Sequence, residues 1–278
     1  QLNAFSEEHV QTLSILAANL AVSLENARLY EQVARDEARL ERDLQAAKRI
    51  QGALIRPVPT EDYGLDMAAR YLSAREVCGD LYEFLRYGPQ QLGIALADVS
   101  GKGTAAALYG AVAIGIMRSL APQKLQPAEL LRQMNQLIGE RRVEGRFMTA
   151  CFGTWQKGRR KFRVANAGQS QPLLYKAGRC GKVELTGFPL GIFEETSYDD
   201  WSVTLDPGDI VIFHSDGIAE TMNSEGQFFG TERLKKLVEA HHQLTATEIS
   251  DLILREVDWF AQSAPLSDDR TLVVLKVR

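Results

Sequence analysis

Cysteine is scarce in this chain: 3 residues in 278, Cys78, Cys151 and Cys180, far apart and with no Cys-x-x-Cys pair. That argues against a disulfide framework and a zinc knuckle, and a sparse odd number suits a reducing cytoplasm. Proline is missing before Pro57, and Gly52 is the only glycine in that stretch, so nothing there interrupts a helix. Basic charge is not in surplus. The net charge of -4 argues against an electrostatic grip on nucleic acid or on an anionic membrane. No apolar run reaches the ~18 residues that a bilayer span needs, and no signal peptide is visible. The partner to expect is a protein or a small substrate. What is present is ordinary globular material, 45% hydrophobic and 24% charged, enough for one large domain plus an extension. The chain opens on Gln1 in mid-pattern, which fits a piece of a longer protein.

From about Ser6 to Arg56 the pattern is helical. Ser6-Glu-Glu-His reads as a capped N-terminus with acids in the first turn. Val10, Leu13, Ala17, Leu20, Leu24 and Ala27 recur at three- and four-residue steps, the seam of a coiled coil or helix pair. A second seam, Val33, Leu40, Leu44, Ala47 and Leu54, runs in a shifted phase, like a stutter. Unbroken, the helix would be roughly 75 Å long at 1.5 Å per residue. The seam predicts a parallel homodimer through residues 10–54. Pro57-Val-Pro59 ends the helix. Beyond it, short apolar runs predict strands at Leu65–Tyr71, Leu92–Val99, Met148–Gln156, Lys161–Ala165, Gln171–Tyr175, Ser202–Leu205, Asp209–His214 and Thr271–Val277. Helices are predicted at Ala105–Leu120, Pro127–Glu140, Thr231–His241 and Thr245–Gln262. Strands early and late with helices in long insertions predict an α+β layered domain.

Four acidic sites share one local grammar: an aspartate at the edge of a strand-like run, beside glycine or another acid. They are Cys78-Gly-Asp80, Ala97-Asp98-Val-Ser-Gly-Lys-Gly103, His214-Ser-Asp216-Gly217 and Ser267-Asp268-Asp269-Arg-Thr271. A carboxylate at an apolar strand end either caps a turn and faces water or binds a cation, because burying it alone is costly. Any one Asp-Gly site alone reads as a turn. Four together, without matching basic partners nearby, point to hard oxygen ligands for Mg2+ or Mn2+. His214 alternates along a strand and reads as a packed core residue. Ser100-Gly-Lys-Gly103 is not a phosphate-binding P-loop, because the first glycine of that motif would fall at Leu96. Lys102 suits a phosphate contact and an exposed position equally well. No Ser-His-Asp or Cys-His set stands at a nucleophile turn, so activated water is the natural nucleophile. Two cations roughly 3.5–4 Å apart can bridge and orient such a water.

These residues resemble the PPM metal-dependent phosphatases, specifically the SpoIIE/RsbU branch. The resemblance runs from about Leu40 to the C-terminus. Besides the four acidic sites it includes Phe147-Met-Thr149, Asn166-Ala-Gly168, Pro189-Leu-Gly191, Leu205-Asp-Pro-Gly-Asp209 and Phe229-Gly230, all in family order. It implies a central β-sandwich flanked by helices, a serine/threonine protein phosphatase activity, and two divalent cations, Mn2+ or Mg2+, per site. By the family pattern Asp98 bridges both ions, with the Val99 carbonyl as a neighbouring ligand. Asp80 serves one ion, Asp216 and Asp268 the other, and Asp269 is a paired acid of open role. The substrate implied is a phosphorylated regulatory protein of the anti-sigma-factor-antagonist kind, in bacterial partner switching. Residues 1–30 resemble the last helix of a GAF sensor domain, through Ser6-Glu-Glu-His and Leu24-Glu-Asn-Ala-Arg-Leu-Tyr30. The expected organisation is then a truncated sensor at 1–30, a helical linker at 31–56 and the phosphatase domain at 57–278, cytoplasmic and gated from upstream. Two places depart from the pattern, Cys78 where glycine is common and Gln169 where histidine is frequent, and neither removes a metal ligand; the wider superfamily often has a proton-donating histidine where this chain has Ser100. The general acid is left unassigned.

Overall fold

The computed structural model describes residues 6–140, 143–262 and 266–278. Helix α1 covers Glu7–Leu54, 48 residues with Glu7 and Glu8 in its first turn. Two compact units divide within it, Gln1–Ala47 and Lys48–Arg278. In the first unit no described side chain is buried, and the apolar seam lies open: Val10 is 54% exposed, Leu13 53%, Leu20 64% and Leu24 71%. A single amphipathic helix has nothing to pack this stripe against within its own unit.

The second unit is layered. One sheet has the order β2-β3-β4-β5-β8, formed by Leu81–Gly88, Gln91–Val99, Met148–Gln156, Lys161–Ala167 and Trp201–Thr204. The other has the order β1-β10-β9-β6-β7, formed by Leu65–Leu72, Arg270–Val277, Ile210–His214, Leu173–Lys176 and Arg179–Lys182. Every pairing is antiparallel. Helices α2 (Thr104–Leu120) and α3 (Pro127–Gly139) cover the outer face of the first sheet. Helices α5 (Thr231–His241) and α6 (Ala246–Ala261) cover the outer face of the second, and α4 (Asp216–Ala219) is one short turn after β9. A capping box starts α6: the Thr245 hydroxyl accepts from the Glu248 amide while the Glu248 carboxylate accepts from the Thr245 amide.

Because strand side chains alternate, residue parity sorts the core. On β3, Leu92, Ile94 and Leu96 point between the sheets, whereas Ala95, Ala97 and Val99 point at α2 and α3. Both faces are buried, so β3 reads as a continuous apolar run in sequence. On β10, Val273, Leu275 and Val277 point between the sheets and Leu272 and Val274 at α5 and α6.

The predicted strands and helices are present, with ends displaced by one or two residues. Two strands, β2 and β7, and the short α4 were not among them. In β2 the charged Glu83 breaks the apolar pattern. It is fully buried, paired with Arg118 of α2 at 2.7 Å and with Arg56 at 3.7 Å. A second correction concerns α2. The segment Thr104–Gln123 is long and apolar enough to span a bilayer, with a mean hydropathy of 1.4. Its Ala106, Gly110, Ala113, Ile114, Met117 and Leu120 are instead buried against the sheet, and its Arg118 serves Glu83. It is a core helix.

Candidate metal centre

Strand register locates the four acidic sites. Leu81 pairs with Ala97, so Asp80 and Asp98 lie opposite each other at one end of the β2-β3 ladder. Both share the inter-sheet parity of Tyr82, Phe84 and Leu96. In the other sheet His214 pairs with Leu272, which brings the chain after β9 beside the chain before β10. Ser215 and Asp269 share the inward parity of Phe213 and Val273. Each sheet therefore delivers acids to one end of the sandwich. The strand ends are locked together there: the Ser215 amide donates to the Thr271 carbonyl at 2.9 Å and the Thr271 amide to the Ser215 hydroxyl at 2.9 Å. Gly217 is required by this closeness, since a Cβ there would stand 2.0 Å from the Asp269 carbonyl oxygen.

The acids are near enough to act on one another electrostatically. Asp80 is 2% exposed; burial raises its pKa well above the ordinary value and the Asp98 charge adds to the rise, while the Thr271 and Ser215 hydroxyls oppose it. Asp98 is pushed up to about 7, first by burial and then by Asp216, Asp268 and Asp269. Asp216 is raised by burial and by Asp268. Each acid thus resists the ionisation of the next. One oxygen of Asp80, Oδ2, is buried and meets no hydrogen-bond partner. Leaving a buried carboxyl oxygen unpaired among like charges is costly, and without a cation the group stays protonated rather than charged. Oxygen-only donors, an orphaned inward oxygen and mutual repulsion are what hard divalent cations relieve, so the donor set fits such ions. Among the described residues no three acidic, histidine or cysteine side chains close on a single point as tightly as an ion demands. Lys102 lies 2.9 Å from Asp268 Oδ2, and Asp269 is engaged by two backbone amides.

Asp269 is turned to the loop before β2. Its Oδ1 accepts from the Ala74 amide at 2.8 Å and its Oδ2 from the Gly79 amide at 2.7 Å. It holds the segment that presents Asp80 and ties the two sheets together at the site. The Val99 amide meets the Gly79 carbonyl at 3.4 Å, and the Val99 carbonyl stands 3.1 Å from where a Gly79 Cβ would be, so this carbonyl also faces the Asp80 loop. Cys78, where a glycine is common, is 1% exposed and its thiol is held protonated by burial. Both its backbone groups are gripped by Gln51 near the end of α1: Nε2 donates to the Cys78 carbonyl at 2.7 Å and Oε1 accepts from the Cys78 amide at 3.0 Å. Sequence reasoning missed Gln51; its only signal is a polar residue where the second seam nears its end.

Several other motif residues serve shape. Ser100 continues the β3-β4 ladder, accepting the Phe147 amide on its hydroxyl at 3.0 Å. Asn166 and Gln169 close a turn on each other, at 2.7 and 2.8 Å. Asp209 is anchored by Lys176 at 2.7 Å. His214 is 3% exposed, and burial lowers its pKa, which keeps it neutral in the core. Asn135 of α3 was also missed. It is 2% exposed and binds the Gly191 amide and the Phe193 carbonyl, fixing the loop after β7.

Residues 88–278 match the family model described as stage II sporulation protein E (SpoIIE). The phosphoserine phosphatase RsbU of Bacillus subtilis is 29% identical over 240 residues, covering 84% of this chain and 70% of that protein. The SiaA-PP2C domain of Pseudomonas aeruginosa superposes with a TM-score of 0.77 at 20% identity, over 88% of this chain and 99% of that one. RsbX in complex with magnesium superposes with a TM-score of 0.58 at 16% identity, over 77% of this chain and 96% of that one.

The close approach at Gly217 gives one test of the geometry. Gly217→Ala must push Asp269 away and should lower thermal stability by roughly 2 kcal/mol, within the usual cost of overpacking. A melting curve indistinguishable from the parent would contradict this packing.

Proposed function

The chain belongs to the SpoIIE family and is a protein serine/threonine phosphatase, and we propose that it hydrolyses phosphoserine or phosphothreonine on a small regulatory protein, using two divalent cations held by Asp80, Asp98, Asp216 and Asp268. The observation that carries this reading is the convergence of four mutually repelling carboxylates from two sheets on one end of the sandwich. Asp98, which feels Asp216, Asp268 and Asp269 together, suits the bridging position. Asp80 and the Val99 carbonyl suit the first ion, and Asp216 and Asp268 the second. Asp269 acts on this reading as a positioning residue, through the Ala74 and Gly79 amides. Mn2+ or Mg2+, when bound, lowers the pKa of a water and orients it for in-line attack on phosphorus. The chain's own part is to fix the carboxylates on rigid strand ends and keep bulk water from Asp80. The protein substrate that suits the family is an anti-sigma-factor-antagonist-like phosphoprotein in the cytoplasm.

Regulation from upstream fits the same geometry. Residues 1–30 suit the last helix of a GAF-like sensor and 31–56 a linker, and the exposed seam of α1 suits a parallel homodimer. Gln51 supplies a physical link, since a shift of α1 would move Cys78 and, two residues on, Asp80.

Asp98→Asn and Asp216→Asn should each lower Mn2+-dependent hydrolysis of a phosphoserine protein or p-nitrophenyl phosphate by about two orders of magnitude or more. Near-normal rates in either purified variant would overturn the site assignment. Gln51→Leu should leave the dimer mass seen by light scattering intact while cutting turnover about tenfold, the size of a site displaced by a fraction of its working geometry. A monomeric parent at high concentration rules out the dimer, and unchanged turnover rules out the link.

A further inference from the structure

Lys102 lies in the loop between β3 and α2, whose flanking Gly101 and Gly103 take φ of 85° and 80°, a region that favours glycine. From there its ammonium reaches the segment before β10 of the other sheet. It sits 2.9 Å from Asp268 Oδ2 and donates to the Ser267 carbonyl at 2.7 Å. The second oxygen of Asp268, Oδ1, accepts from the Asp269 amide at 3.0 Å. Both oxygens of this carboxylate are therefore engaged, one of them by a cation the chain itself supplies. The lysine charge extends to Asp216, where it opposes the repulsion from Asp268. Asp80, by contrast, keeps an oxygen without a partner.

An ammonium and a divalent ion cannot share Asp268 Oδ2 without strong repulsion. The Lys102 side chain is 39% exposed, so its flexible stem can carry the ammonium into water at little cost. We propose that Lys102 is a displaceable counter-ion for Asp268: it neutralises the Asp216–Asp268 side of the site at low cation concentration and must swing out before a divalent cation binds there. The proposal rests on the two-cation reading above and deepens it. It makes the two ion positions unequal, because only the Asp268 side requires the loss of an existing ion pair. Lys102 then sets how much free cation is needed to complete the site.

The test is calorimetric titration of the full chain with MnCl2, comparing the parent with Lys102→Met, Lys102→Arg and Arg146→Gln. Arg146 is the control because it removes an equal charge beside the same loop, where it donates to the Ser100 carbonyl and not to an acid. Lys102→Met should tighten the weaker binding step roughly three- to tenfold, the scale of a partly exposed ion pair together with its repulsion of the incoming ion. Lys102→Arg and Arg146→Gln should stay within about twofold of the parent, since both leave a cation on Asp268. In the parent itself, Mn2+ should speed the reaction of Lys102 with an amine-directed label severalfold, read by mass spectrometry. Unchanged or weaker Mn2+ binding in Lys102→Met overturns the proposal, as does equal tightening in Arg146→Gln. Measurable Mn2+ binding with no change in Lys102 labelling overturns it too. No Mn2+ binding in any of the four proteins overturns the two-cation reading itself, and the counter-ion role falls with it.

Discussion

Like charges gathered at one end of the sandwich, one of them fully buried, are the constraint on which the rest of this structure depends. Asp80, Asp98 and Asp216 all resist ionisation, first through burial and then through one another. Folding brings them there because the hydrophobic interior between the sheets fixes which way each strand faces. A one-residue slip of β2 or β3 would turn its acid toward the helices and its apolar set toward the wrong core. The apolar layers of Leu92, Ile94 and Leu96 against Val273 and Leu275 therefore position the chemistry as well as stabilise the fold.

Around that end the chain is built to hold acids close without letting backbones drift. Gly217 lets the turn after β9 press on the Asp269 carbonyl, where any side chain would collide. The exchange of hydrogen bonds between Ser215 and Thr271 fastens the ends of β9 and β10. Asp269 crosses from one sheet to the loop of the other and holds Gly79 next to Asp80. On the far side of that loop, Gln51 grips Cys78 by both backbone groups. The segment carrying Asp80 is thus fixed from two directions, by a carboxylate and by an amide. A helix that moves the amide has a direct mechanical route to the acid.

Much of this was legible in the sequence because it rests on local rules. The four Asp sites announce themselves by sitting between an apolar run and a glycine or a second acid. The layered α+β class follows from the order of strand and helix patterns. What stayed hidden depends on distant partners. Strand β2 carries Glu83, a charge that breaks the apolar run and is acceptable only because Arg118 and Arg56 meet it from other elements. Strand β7 is four residues long with one buried side chain, too little pattern to see. Asp269 resembles a ligand in sequence, and only the fold reveals Ala74 and Gly79 on its oxygens. Gln51 and Asn135 look like ordinary helix polar residues until the loops they hold are in place.

The central proposal is that Asp80, Asp98, Asp216 and Asp268 together would hold two divalent cations at this end of the sandwich. Anomalous scattering from a crystal of the protein soaked in MnCl2 tests it directly. The account predicts two manganese peaks about 3.5–4 Å apart, a spacing typical of two-metal hydrolytic sites, with Asp98 touching both, Asp80 on one side and Asp216 and Asp268 on the other. Peaks confined to surface carboxylates elsewhere, or none at these four aspartates, would contradict it.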